Sequence, residues 1–143
     1  MLISVTFINM FTNNRYILAS SSKSRFKILR SVGFNFKKVK PDCNEENIKN
    51  SLRKKNYKPN VIAKKLSYEK SMSVSIKKKY KDMDVIGCDT LIYLGNNVFD
   101  KAKDLKQAKT KLRTLSGKSH KIVSGITICR NGKKVWQHSV TTT

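Results

Sequence analysis

Acid is scarce in this sequence. Nine Asp and Glu stand against 31 Lys and Arg, a formal net charge of +22, and no acidic residue precedes Asp42. Such an excess admits three kinds of partner: nucleic acid, an anionic membrane or a small polyanionic substrate. It reads equally as lysine spread over solvated faces. Cysteine is sparse as well. Cys43, Cys88 and Cys129 form no C-x-x-C pair and have only His120 and His138 as nitrogen partners. That argues against a disulfide framework and against zinc, and for a reducing cytoplasmic location.

Long apolar runs are missing. The stretch Met1 to Phe11 is apolar but too short to span a bilayer, and it lacks the leading basic residue and small-residue cleavage site of a signal peptide. No membrane partner is expected. Met10 reads as the true start, residues 1–9 as an upstream extension, and residues 1–12 as lying outside the core. Proline is limited to Pro41 and Pro59 and no linker composition occurs, so residues 1–143 read as a single domain, with 38% hydrophobic residues to fill one core. Tyr57, Tyr68, Tyr80 and Tyr93 are dispersed, and no RNP, zinc-finger or basic-zipper pattern is present. Specific nucleic-acid recognition is therefore not expected, although nonspecific attraction to polyanions is.

What is present alternates between strands and helices. Tyr16 to Ala19 forms a short apolar strand, and the serine-rich run after it opens a helix with Phe26, Ile28, Leu29 and Val32 on one face, stopped by Gly33. Phe34, Phe36 and Val39 mark a second strand. Residues 44–55 and 59–79 read as helices, the first opening at Asn44 with Glu45 and Glu46 in its first turn. The second places Val61, Ile62, Leu66, Met72 and Ile76 on one side and lysines on the other. Val85 to Cys88 leads as a strand into Asp89-Thr90, with Leu91, Ile92 and Leu94 extending it to a turn at Gly95-Asn96-Asn97. Asp104 with Gln107 has the form of a capping box for a helix through Leu115, closed by Ser116-Gly117. Ile122, Ile126 and Ile128 mark a strand, and Asn131-Gly132 a hairpin. This order is an α/β arrangement around a mixed sheet.

Two segments stand out chemically. The loop from Ser20 to Arg25 lies between a strand and a helix N-terminus, where backbone N–H groups and the helix dipole favour an anion. Ser20 and Ser22 add hydroxyls, while Lys23 and Arg25 add charge. The loop suits phosphates, yet it also reads as an ordinary serine-rich cap, and it is not a Walker A motif. The other segment is Gly87-Cys88-Asp89-Thr90, an acid at the end of an apolar strand in a chain short of acids. Such an Asp can hold a divalent cation, act as general base, or merely cap a turn. Glu45, Lys70 and Lys101 read singly as surface residues.

Together these pieces resemble the Maf family of nucleotide pyrophosphatases. Leu18-Ala19-Ser20-Ser21-Ser22-Lys23-Ser24-Arg25 is similar to its L-A-S-x-S-P-R-R opening, Asn44-Glu45 to its D-E, and Lys70-Ser71 to its K-A. Gly87 to Thr90 is similar to its G-A-D-T, Lys101-Ala102 to its K-P, and Leu115-Ser116-Gly117 with His120 to its L-S-G-x-x-H.

The resemblance implies an inosine triphosphatase-like fold, a mixed and strongly twisted sheet flanked by helices, with its C-terminal part missing here. It also implies hydrolysis of nucleoside triphosphates, dTTP or UTP before 7-methyl-GTP, to monophosphate and pyrophosphate, including non-standard nucleotides. Asp89 would be the proton acceptor, Lys70 and Lys101 would neutralise the triphosphate, and Ser20, Ser22, Lys23, Ser24 and Arg25 would hold phosphates. Thr90 would bear on base selection, and Glu45 with Asp89 would hold Mg²⁺ or Mn²⁺. Lys23-Ser24 in place of Pro-Arg, Asn44 in place of an acid and Ala102 in place of proline depart from the pattern. The uncovered final strand leaves a homodimer open. The alternatives are an inactive nucleotide-binding fragment and a basic nucleic-acid-binding protein.

Overall fold

A computed structural model describes residues 16–143. The readings made for residues 1–12 fall outside that range. The described strands form one mixed sheet in the order β2-β1-β3-β5-β6, with β4 paired to the far end of β3. Strand β1 (Tyr16–Ala19) runs parallel to β2 (Phe36–Val39) on one side and to β3 (Asp84–Leu94) on the other. Strands β4 (Asn97–Phe99), β5 (Lys121–Arg130) and β6 (Lys133–Thr142) extend the sheet antiparallel.

The helix ends follow local chemistry. Helix α1 (Lys23–Ser31) is capped by Ser22, whose Oγ accepts from Arg25 N at 3.3 Å, and Gly33 follows it at φ +86°, where a side chain would be strained. Asn44 caps α2 (Glu45–Lys54) through Asn47 N, and Asp104 caps α4 (Leu105–Leu115) through Gln107 N. Gln107 Oε1 reaches back to Lys103 N, one residue before the cap. Asn131 and Gly132, both at positive φ, turn β5 into β6, as their sequence predicts.

Helix α3 (Pro59–Ser75) organises the domain by lying across β1, β3, β5 and β6. It ends at Ser75, not at 79. A short 3₁₀ turn at Lys78–Tyr80 follows and buries Tyr80 beside Ile17, Val74 and Val85. Its buried face also differs from the apolar side read in the sequence. The buried residues are Ile62, Ala63, Leu66, Ser67, Lys70, Ser71, Val74 and Ser75, while Ile76 is 64% exposed.

Close approach explains the difference. A Cβ on Gly87 would lie 2.1 Å from Ser67 O, and one on Gly125 would lie 2.4 Å from Ala63 O. Only small residues let the helix backbone come this near the sheet, and their hydroxyls bond across it. Ser67 Oγ meets Thr127 Oγ1 at 2.7 Å, and Ser71 Oγ donates to Val85 O at 2.6 Å. The serines are therefore satisfied in place rather than solvated. Leu66, Leu91, Tyr93 and Val123 fill the space beside this seam, each large buried side chain contributing about 1.5–3 kcal/mol. Among the described residues no helix is long and apolar enough to cross a membrane.

Candidate active site

Strand β1 stops at Ala19, opposite Gly87, while β3 runs on for seven more residues. Beyond that point β3 has lost its parallel neighbour, and the crevice at the carboxyl end of β1 opens there, the usual place for a ligand in an open α/β sheet. The Cys88 carbonyl at this step is taken by two cations, Arg25 Nη1 at 3.0 Å and Lys70 Nζ at 3.4 Å. Alternation along β3 then sends Asp89 to the α3 side and Thr90 to the other.

On the α3 side Asp89 is 6% exposed and Lys70 3%. Lys70 Nζ lies 2.7 Å from Asp89 Oδ1 and 2.8 Å from Glu45 Oε2. Its three donors thus go to two carboxylates and one carbonyl, and the ammonium compensates both acids. Residues that read as isolated surface positions, Glu45 and Lys70, are in contact. Lys101 lines the same cleft of about 670 Å³ as Glu45 and Asp89, with Lys49, Phe99 and Asp100.

On the other side Arg25 Nη2 donates to Thr90 Oγ1 at 3.2 Å, and Thr90 Oγ1 lies 3.1 Å from Ser124 Oγ. A notch of about 190 Å³ opens here between α1 and β5, bounded by Arg25, Ile28, Leu29, Cys88, Thr90 and Ile126. Burial pushes the Cys88 thiol up against the opposing pull of Arg25 and Lys70, which disfavours its thiolate.

The serine loop makes the cap its sequence allowed. Ser20 Oγ accepts from Ser22 N at 3.1 Å and Ser22 Oγ from Arg25 N, which builds the turn and caps the helix. Each hydroxyl still carries a proton to donate. Lys23 and Ser24 are exposed at the head of α1, where backbone N–H groups have no carbonyl one turn back.

Sequence reading missed three parts of this arrangement. Ser124 carries no motif signal, and its contact with Thr90 depends on the β3–β5 register, which sets Thr90 opposite Ser124. Lys49 and Arg53 look like helix-surface charges but bond Asp100. Burial opposes the charge of Asp100, yet the hydrogen bonds from Arg53 and Lys49 outweigh it and hold the carboxyl below its usual range.

Among the described residues no group of three or more His, Cys, Asp and Glu side chains is arranged to hold a metal. Glu45 and Asp89 are nevertheless hard oxygen donors on one cleft. That suits a small divalent cation, which takes one or two carboxylates and completes its shell with water and phosphate oxygens.

Comparison with known proteins shows the family. The pattern that defines the Maf-like proteins matches residues 15–143. A nucleoside triphosphate pyrophosphatase of Hyphomonas neptunium is 40% identical over 121 residues, 85% of this chain and 60% of the relative. A dTTP/UTP pyrophosphatase of Aquifex aeolicus is 37% identical over 126 residues, 88% of this chain and 62% of the relative. A 7-methyl-GTP pyrophosphatase of Brucella abortus is 32% identical over 124 residues, 87% of this chain and 61% of the relative. The chain thus spans about 60% of the length of these curated relatives.

Proposed function

We propose that this chain, which belongs to the Maf-like protein family, hydrolyses nucleoside triphosphates to the monophosphate and pyrophosphate. The observation that carries the reading is the contact of buried Lys70 with buried Asp89 and half-exposed Glu45, the two acids lining a cleft that Lys101 also lines. Two carboxylates meet one lysine just past the end of β1, where Arg25 and Lys70 share the Cys88 carbonyl.

The reaction needs charge neutralisation and positioning more than covalent chemistry, because water must reach a phosphorus ringed by negative oxygens. Ser20, Ser22, Lys23, Ser24 and Arg25 form the phosphate-holding side. Lys101, at the cleft, adds positive charge against the triphosphate. Asp89, fixed through Oδ1 by Lys70, offers Oδ2 to take the proton of the attacking water. Lys70 keeps Glu45 and Asp89 side by side. Glu45 and Asp89 are the residues that would hold Mg²⁺ or Mn²⁺. When bound, such a cation neutralises phosphate charge and lowers the pKa of its water.

For the base, we favour dTTP and UTP. The Asp89-Thr90 pair supports this choice, because Thr90 lines both the cleft and the notch and is held there by Arg25. The relatives' names span both this preference and 7-methyl-GTP, so the base is decided by experiment. Product analysis with dTTP, UTP, GTP and 7-methyl-GTP, with Mg²⁺ or Mn²⁺ and with Asp89→Asn alongside, is the test. Monophosphate and pyrophosphate from the unaltered chain alone, dTTP or UTP fastest, is the expected outcome. Turnover by Asp89→Asn at the same rate removes Asp89 as base, and monophosphate with orthophosphate as the only products would sink the pyrophosphatase reading.

A further inference from the structure

The loop that carries Lys101 is tied down by a residue to which no motif draws attention. Asp100 directly follows β4. Its carboxylate receives Lys49 Nζ on Oδ1 at 2.5 Å, Arg53 Nη2 on Oδ1 at 3.0 Å and Arg53 Nη1 on Oδ2 at 3.3 Å. The backbone carbonyl of the same residue accepts from Lys111 of α4. One residue therefore joins three elements: α2, the loop after β4, and α4.

The connection matters because of what each element carries. Helix α2 begins with Glu45, which contacts Lys70, and continues through Glu46, which pairs with Lys49 at 3.3 Å. The loop carries Lys101, next to Asp100. Its other end is fixed by the Asp104 cap and by Gln107 Oε1 on Lys103 N. Lys101 is itself exposed, and no hydrogen bond or ion pair of its side chain is found among the described residues. Its place in the cleft is set by its neighbours. Bidentate pairing of the Arg53 fork with a carboxylate supplies a directional constraint that a single point charge does not.

We propose that Asp100 is a positioning residue of the nucleotide site: by clamping Lys49 and Arg53 of α2 it holds Lys101 facing the triphosphate, across the cleft from Glu45 and Asp89. This rests on the nucleotide reading above. Asp100 touches no substrate in this account and acts only through Lys101. Replacing it with Asn keeps the shape but leaves one acceptor oxygen and turns an amide donor toward two cations.

The test is a double-mutant cycle on nucleotide affinity, with the unaltered chain, Asp100→Asn, Lys101→Ala and the double variant titrated by calorimetry with the α,β-imido analogue of dUTP and Mg²⁺. A partly exposed charge network of this kind is worth about fivefold in affinity, ~1 kcal/mol. Asp100→Asn is expected to lose that factor, and the double variant to bind no more weakly than Lys101→Ala alone, because the two act in series. Losses that multiply, or Asp100→Asn binding like the unaltered chain, overturn the proposal while leaving the nucleotide reading intact. Absence of binding by the unaltered chain would instead remove that reading, and this inference with it. If Asp100→Asn does not fold, Lys49→Met with Arg53→Gln probes the same clamp from α2, with the same dependence on Lys101 expected.

Discussion

Lys70 and Asp89 lie 2.7 Å apart, Nζ to Oδ1, with both side chains almost wholly buried. Glu45 approaches the same ammonium from the cleft at 2.8 Å. Burying a charge is tolerated only with such compensation, so the lysine serves the acids first.

Removing it should expose that dependence. Lys70→Met is expected to destabilise the fold by about 3 kcal/mol, because it leaves a buried carboxylate unpaired. The double variant Lys70→Met with Asp89→Leu is expected to recover most of that loss. Urea unfolding of the two variants checks this, and a single variant as stable as the parent would contradict it.

Arg25 holds two acceptors, Cys88 O and Thr90 Oγ1, with the two arms of one guanidinium. Lysine cannot make both bonds in the same plane. Arg25→Lys is therefore expected to lower kcat/KM for dTTP about tenfold, ~1.4 kcal/mol. Steady-state kinetics across dTTP, UTP and GTP measure it, with the relative preference among bases shifting as Thr90 loses its anchor.

The seam between α3 and the sheet leaves no room for a methyl group at Gly125. Gly125→Ala is expected to cost 3 kcal/mol or more, about the upper end for overpacking, because the opposing atoms are the helix backbone. Gly33→Ala meets nothing within 4 Å and is strained only by its φ of +86°, a cost of about 1 kcal/mol. Thermal melts of both should separate the two mechanisms.

The Asp100 carboxyl is held below its ordinary value of 3.8, so its contribution to stability has a defined sign. It is fully present above that value and is lost as the pH falls through the lower folded one. The stability difference between the parent chain and Asp100→Asn is expected to stay level from neutral pH down to about 5 and then to shrink. Unfolding midpoints measured in parallel down the acid range test this, and a difference that grows with acidity would refute it.

Much of the architecture was legible from local signals. Ser22, Asn44 and Asp104 mark helix starts because a cap bonds a backbone N–H three residues on, and Asn131-Gly132 marks the hairpin because only a few residues accept positive φ at both positions. The buried face of α3 was not legible. Ser67, Ser71 and Lys70 look like solvent residues until Gly87 and Gly125 bring the sheet against them. The end of α3 was also misjudged, since the burial of Tyr80 takes the chain out of the helix.

The sequence by itself determined the caps, the turns, the strand–helix order and the motifs that place Ser20, Arg25, Glu45, Lys70, Asp89 and Lys101 along the chain. Each of those features depends on a few neighbouring residues. Only the tertiary structure decided that Lys70 joins Glu45 to Asp89, that Thr90 faces Ser124, and that Asp100 binds α2 to the loop of Lys101. Those contacts bridge 19 to 51 residues of chain. They depend on strand register and on how closely a helix can approach a sheet, which no local stretch of sequence specifies.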